Sequence, residues 1–207
     1  MTPETLDYLT KACPHMQKLI RVHGPCLLAP EPDRTPFVSL VRAVAHQQLH
    51  GKAAETILKR FRGLFSNRFP TPKSLATVSD DDLRGVGFSR AKVASIRDIA
   101  AKVLDGTIPG TRAIKSMTDE EIIQRLTAVR GVGRWTVEMM LIFKLGRPDV
   151  LPADDFGVRA GLRAIRGLDA MPSPKEVREY GERWRPHATT AAWYLWRAAD
   201  SAKIIVI

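Results

Sequence analysis

Leu126-Thr-Ala-Val-Arg-Gly131-Val132-Gly133-Arg134-Trp135-Thr136 decides how this chain is read, together with Leu151-Pro152-Ala-Asp154-Asp155-Phe-Gly-Val-Arg159, which follows it. The two glycines lie between segments of helical period, Glu120 to Val129 and Arg134 to Leu145, so they predict a tight turn joining two helices. Such a turn aims successive backbone N–H groups outward at a helix N-terminus, an arrangement that binds phosphate without a side chain. An ordinary helix connection uses the same residues, and Gly-x-Gly alone does not separate the two readings.

The downstream segment adds a carboxylate. A helical pattern after Trp135 runs into Gly146-Arg-Pro148, and Pro152 breaks the chain again before Asp154 and Asp155 open a new helix. Val158, Leu162 and Ile165 form that helix's apolar stripe, and Asp155 continues it backwards at spacings of 3, 4 and 3 residues. Asp155 is therefore expected to point inward, near the positive end of the helix dipole, with Asp154 as the cap. The plainer alternative is that both aspartates cap and solvate a helix end.

Nearly every other segment also has helical period: Thr5 to Ala12, His15 to Val22, Phe37 to Leu49, Ala53 to Phe65, Asp80 to Leu83, Ala91 to Val103, Asp119 to Val129, Pro174 to Trp184 and Ala188 to Ala199. Strand signals are nearly absent. Pro70-Thr-Pro72, Gly85-Val-Gly87, Ile108-Pro109-Gly110 and Met171-Pro-Ser-Pro174 punctuate the helices, and Leu83-Arg-Gly85-Val-Gly87-Phe faintly repeats the main hairpin in what reads as a structural turn. No linker or low-complexity stretch divides the chain, so residues 1–207 are expected to form one all-α domain.

The charge balance names a class of partner. Thirty-two Lys and Arg against 22 Asp and Glu leave a net +10, which favours a polyanion, nucleic acid first among them, although basic surfaces also aid solubility. No apolar run is long enough to span a membrane, and the N-terminus has acidic residues where a signal peptide needs basic ones, so cytoplasmic residence is expected. Cys13 and Cys26 are too few for an iron–sulfur cluster and in a reducing cytosol are expected as free thiols.

These motifs together resemble the helix-hairpin-helix (HhH-GPD) DNA glycosylase superfamily, most closely its AlkA-like 3-methyladenine DNA glycosylase II branch. The resemblance rests on the hairpin Gly131 to Thr136, on Leu151-Pro152-x-Asp154-Asp155-aromatic, on Tyr180-x-Glu182-Arg183-Trp184-x-Pro186, on Trp193-Tyr194-Leu195-Trp196-Arg197, and on Ala45-His46-Gln47-Gln48-Leu49. It covers roughly residues 36 to 200. It implies an all-α helix-hairpin-helix glycosylase fold with two helical lobes around a cleft, the hairpin spanning about 120–145. By that resemblance the β-containing N-terminal domain of the longer AlkA proteins is not expected in these 207 residues.

By that resemblance the substrate is double-stranded DNA containing alkylated bases, bound by a monomer in the nucleoid-containing cytoplasm. Gln48 sits where the family places the wedge that replaces a flipped nucleotide, although an exposed polar residue at a helix end reads the same way; His46 is then a hydrogen-bonding neighbour. Gly131, Val132, Gly133, Arg134 and Thr136 fall to the DNA backbone, with Arg130 a further flanking candidate. Trp135, Trp196 and Met139 occupy positions that line the base pocket, where a cationic alkylpurine gains cation–π attraction; Trp196 equally suits a core. Met139 replaces an aromatic residue common in AlkA-like enzymes, which leaves the lesion range open. Trp184 reads as core.

Asp155 is the implied catalytic residue. Hydrolysis of an ordinary glycoside needs two carboxylates, but a cationic base is already a good leaving group, so one suffices to stabilise the oxocarbenium-like sugar. Bifunctional relatives carry a lysine nucleophile where this chain has Trp135, so the resemblance implies a monofunctional glycosylase without lyase activity. No cofactor is implied for catalysis. A monovalent cation, Na+ or K+, is implied on the backbone carbonyls of Thr127, Val129 and Val132. Two other readings stay open: a lesion-sensing DNA-binding protein without turnover, and a glycosylase for deaminated or oxidised bases.

Overall fold

Helix starts in this chain are written by hydroxyl side chains. Thr35, Thr71, Ser79, Ser89, Thr118 and Ser173 each accept a hydrogen bond from the backbone N–H three residues on, and at Thr71, Ser79, Thr118 and Ser173 the third residue answers back to close a capping box. The computed structural model describes residues 2–49 and 51–204. In chain order the α-helices are α1 (Pro3–Ala12), α2 (Pro14–His23), α3 (Pro36–His46), α4 (Gly51–Gly63), α5 (Pro72–Leu75), α6 (Asp80–Gly85) and α7 (Arg90–Leu104). They continue as α8 (Thr111–Lys115), α9 (Asp119–Thr127), α10 (Arg134–Met140), α11 (Phe156–Arg166), α12 (Pro174–Gly181) and α13 (Ala188–Ile204). No strand occurs among the described residues, as the sequence predicts.

The internal contacts divide the chain into two compact units. One is continuous, Glu31–Leu145; the other joins the segment up to Pro30 with the segment from Gly146 onward. In the continuous unit Phe61 meets Phe65, Phe69 and Phe88 edge-on, and Leu40, Leu58, Leu75, Leu83, Ile96, Ile99 and Ile114 are fully buried. The second glycine turn packs here: Gly87 lies where a Cβ would come within 2.9 Å of Ile57 on α4, which supports its structural reading. In the discontinuous unit α11 and α13 approach so closely that a Cβ at Gly161 would stand 2.1 Å from the carbonyl oxygen of Leu195. Trp184 and Tyr194 are fully buried beside them, and the Tyr194 hydroxyl donates to the carbonyl of Gly24 at 2.8 Å.

Several expected bounds need correction, and one is the helix expected over Pro174 to Trp184, which is α-helical only to Gly181 and ends in a 3-10 turn over Glu182–Trp184. The helix expected over Phe37 to Leu49 ends at His46, because Gln47 leaves the helical basin (φ −53, ψ 126). The helix expected over Arg134 to Leu145 is α-helical only to Met140 and continues as a π-turn over Leu141–Leu145. The short helices α5 and α8 stand in segments the periodicity left between helices, being too brief to show a stripe. Cys13 and Cys26 are buried free thiols, as expected. Among the described residues no helix is long and apolar enough to cross a membrane.

Candidate functional site

The hairpin is α9, a turn and α10. The Val132 N–H donates to the Val129 carbonyl at 3.1 Å, and Gly131 adopts φ +71, a left-handed conformation that disfavours any side chain. Space reinforces this, since a Cβ at Gly131 would lie 2.1 Å from Ser95 Oγ. Gly133 is the N-cap of α10 and brings no side chain to its first amides, while a Cβ there would meet nothing within 4 Å. The backbone is therefore open on the Gly133 side and seated on α7 on the Gly131 side. Asp98, also on α7, accepts the Arg130 N–H at 2.7 Å.

Two of the hairpin's expected DNA contacts have their side chains engaged. Arg134 donates to Glu138 at 3.1 Å and to Glu120 at 3.3 Å. Burial by itself would lower its pKa, but these two carboxylates hold the guanidinium above its ordinary value. Thr136 is buried with its hydroxyl accepting from Gln47 at 3.2 Å, so what it offers outward is backbone. Val132 is likewise buried.

Facing the hairpin within the same unit is the loop after α3. Gln48 is exposed and sits at φ +56, an unusual conformation for a residue with a side chain. Gln47 Nε2 donates to the Gly131 carbonyl at 3.0 Å, and Lys92 Nζ donates to the carbonyls of Ala45 and Gln47, both at 2.9 Å. His46 Nε2 lies 3.1 Å from Glu55 Oε1, and Arg42 pairs with the same carboxylate. Burial would raise the Glu55 pKa, but Arg42 and His46 together bring it below the usual range. His46 is thus a hydrogen-bonding neighbour.

Trp135 and Met139, both half-buried, line one cavity of about 390 Å³ with Arg42, His46, Phe143 and Lys144. The Lys144 ammonium donates to the Pro32 carbonyl at 3.1 Å, and burial lowers its pKa. A wider, open depression of about 710 Å³ over Gly106 to Gly110 carries none of the candidate site residues read from the sequence.

Asp155 and Trp196 belong to the other unit. Asp155, not Asp154, is the N-cap of α11: its Oδ1 accepts the Val158 N–H at 2.9 Å and the indole N–H of Trp196 at 2.8 Å. Asp154 is exposed and lies 3.7 Å from Arg178. The capping assignment made from the stripe is reversed, because capping geometry turns a side chain back along the helix while the 3.6-residue period describes only residues already inside it. Gly157 makes the pair possible, since a Cβ there would stand 2.7 Å from Trp196 Cδ1 and 3.1 Å from Asp155 Oδ1. Trp196 is half-buried and packs at the edge of the core formed by Val158, Leu162 and Leu195.

One unit thus holds a helix–Gly-x-Gly–helix turn with open backbone, and the other a carboxylate that caps a helix after a Pro break. The family model of HhH-GPD superfamily base excision DNA repair proteins matches residues 41–186. The chain belongs to the HhH-GPD superfamily. It is similar to DNA-3-methyladenine glycosylase 1 of Schizosaccharomyces pombe, 43% identical over 170 residues, covering 82% of this chain and 75% of that protein. Among solved structures it is similar to the 3-methyladenine DNA glycosylase of that yeast in complex with abasic DNA, with TM-score 0.88 and 38% identity over 94% of this chain and 95% of the other. It is also similar to a Bacillus halodurans DNA-3-methyladenine glycosidase, with TM-score 0.82 and 32% identity over 98% and 92% of the two chains.

Within this HhH-GPD protein Trp135 and Met139 lie together in one unit, and Asp155 and Trp196 in the other. Sequence reasoning missed Lys92, Ser95, Asp98 and Gly157. The first three stand at spacings of three on α7, polar positions alternating with buried Val93, Ile96 and Ile99, a spacing that the sequence shows without showing what the stripe meets. Gly157 left no such signal, because its value lies in what it lets approach.

Proposed function

We propose that this protein is a DNA repair glycosylase that flips alkylated purines, 3-methyladenine and 7-methylguanine among them, out of the duplex and hydrolyses the N-glycosidic bond. The observation that carries the reading is Asp155 held by two donors, the Val158 and Trp196 N–H groups, in a chain of the base-excision superfamily. In the reaction the C1′–N bond breaks and its electron pair leaves with the cationic base, which departs neutral. The carboxylate of Asp155 stabilises the positive charge that grows on the sugar. Water adds its oxygen to C1′ and releases a proton to the carboxylate or to solvent. Two fixed donors keep the carboxylate in one orientation, so little reorganisation is left for the transition state.

The remaining roles follow the same reading. Trp135 and Met139 offer an aromatic face and a polarisable thioether to a cationic purine, Trp196 contributes to base recognition, and Gln48 fills the vacated stack. The amides of Gly133, Arg134 and Thr136 at the start of α10 bind DNA phosphate, and Gly131 and Val132 supply the turn backbone that presents them. The carbonyls of Thr127, Val129 and Val132 are hard oxygen donors suited to a monovalent cation; Val129 already accepts the Val132 amide, and the left-handed turn at Gly131 curls this segment. Such an ion would supply positive charge for binding DNA phosphate.

The enzyme acts as a monomeric single glycosylase domain in the cytoplasm, and as a class II enzyme without lyase activity. Trp135 is no amine, and the lysine lining its cavity, Lys144, is committed to Pro32. The test is base release from methylated duplex DNA by the wild type and by Asp155→Asn. The wild type is expected to release free alkylpurine and the variant orders of magnitude less; equal rates would refute the assignment.

A further inference from the structure

Gln48, at φ +56, needs its loop held from outside, and two side chains hold it. Lys92 places its ammonium at the C-terminal end of α3, where unpaired carbonyls and the negative end of the helix dipole accumulate, and donates to Ala45 and Gln47 at 2.9 Å each. Gln47 reaches across from the cap of α3 to the hairpin, with its amide nitrogen 3.0 Å from the Gly131 carbonyl and 3.2 Å from Thr136 Oγ1. Both attachments share a base. Lys92, Ser95 and Asp98 lie on one face of α7, and they meet the loop, the space beside Gly131 and the Arg130 amide respectively.

We propose that Gln47 and Lys92 are positioning residues that lock the loop bearing Gln48 to the hairpin turn, so that gripping the DNA backbone sets the wedge at a fixed height and register. The inference rests on the reading of Gln48 as the wedge. A loop ordered in advance does not have to be ordered while the base is being flipped. Removing the lock should therefore slow release of a base that must be prised from its partner far more than release of one that is already unpaired.

The test measures single-turnover release of 7-methylguanine from two duplexes, one with cytosine opposite the lesion and one with a tetrahydrofuran spacer there. The paired-to-unpaired rate ratio should fall about tenfold in Lys92→Met and in Gln47→Met, the scale of losing one or two hydrogen bonds, and the double variant should fall little further. Lys102→Met, a surface lysine of α7 paired with Asp105, controls for lost charge and should leave the ratio at its wild-type value. Gln47→Met serves if Lys92→Met folds poorly. Amide hydrogen exchange on the same proteins supplies a readout independent of activity: Gln47→Met should lose protection at both the loop and residues Gly131 to Arg134. A ratio within about twofold of wild type in folded, active variants would overturn the proposal. If the wild type releases no base, the glycosylase reading fails instead, and unchanged exchange at the hairpin in Gln47→Met then overturns the lock.

Discussion

Gly157→Ala is the substitution whose outcome ordinary helix rules would get wrong. Replacing a helical glycine with alanine normally stabilises by up to about 1 kcal/mol. Here the new Cβ would stand 2.7 Å from Trp196 Cδ1, where carbon–carbon contacts settle near ~3.5–4.0 Å, so the indole must move by about 1 Å. Moving it that far stretches the 2.8 Å bond from Trp196 Nε1 to Asp155 Oδ1 to roughly 3.6 Å, beyond hydrogen-bonding range. A hydrogen bond to a charged group contributes about 1.5–3 kcal/mol, so base release should fall about ten- to a hundredfold if the transition state uses the held carboxylate fully. Overpacking costs about 1–3 kcal/mol against the helix gain, leaving the melting temperature unchanged or lower by a few degrees. The assay pairs thermal unfolding with single-turnover release, and sets Gly157→Ala beside Trp196→Phe, which keeps a ring and deletes the donor. The two should lose similar activity, and the double variant little more than either. A Gly157→Ala protein that is more stable than wild type and equally active would refute the argument.

Asp155→Asn should fold normally, because asparagine is as good a cap as aspartate, yet lose orders of magnitude in base release. Asp154→Asn removes only an exposed pair with Arg178 and should change release by less than about twofold, as surface ion pairs contribute ~0–1 kcal/mol. The product should be an intact abasic strand, broken only after alkali, and borohydride should trap no covalent complex; a trapped complex would sink the monofunctional reading. Tyr194 has its pKa pushed up to about 12, by burial and by the nearby Cys26. A raised folded-state value means that its contribution to stability is complete below about pH 10 and is lost as pH rises from 10 to 12. Over that window the wild type should lose on the order of 2 kcal/mol more than Tyr194→Phe, measured by denaturant unfolding; parallel losses would show that the hydroxyl titrates freely when folded.

The fold was legible because it is built of amphipathic helices separated by Gly or Pro breaks, both of which leave local patterns. Asp155 and the Gly131–Gly133 turn were legible for the same reason, as punctuation between stripes. The roles of the two aspartates were not, because a cap side chain folds back onto backbone amides and so escapes the period that places core residues. Gln47 lay inside a quoted motif, but its partner Gly131 stands 84 residues away, a contact that no local pattern encodes. Gly157 and Lys92 escaped notice for a related reason. One matters for the side chain it lacks and the other for carbonyls it covers, and both depend on a neighbour brought by tertiary packing.

The most direct test of the account is to incubate the purified protein with methylated duplex DNA and identify the free bases by chromatography, beside Asp155→Asn. The account predicts free 3-methyladenine and 7-methylguanine, abasic sites in matching number, and almost none of either with the variant. Tight binding of the damaged duplex with no base released, or release that Asp155→Asn leaves intact, would contradict it.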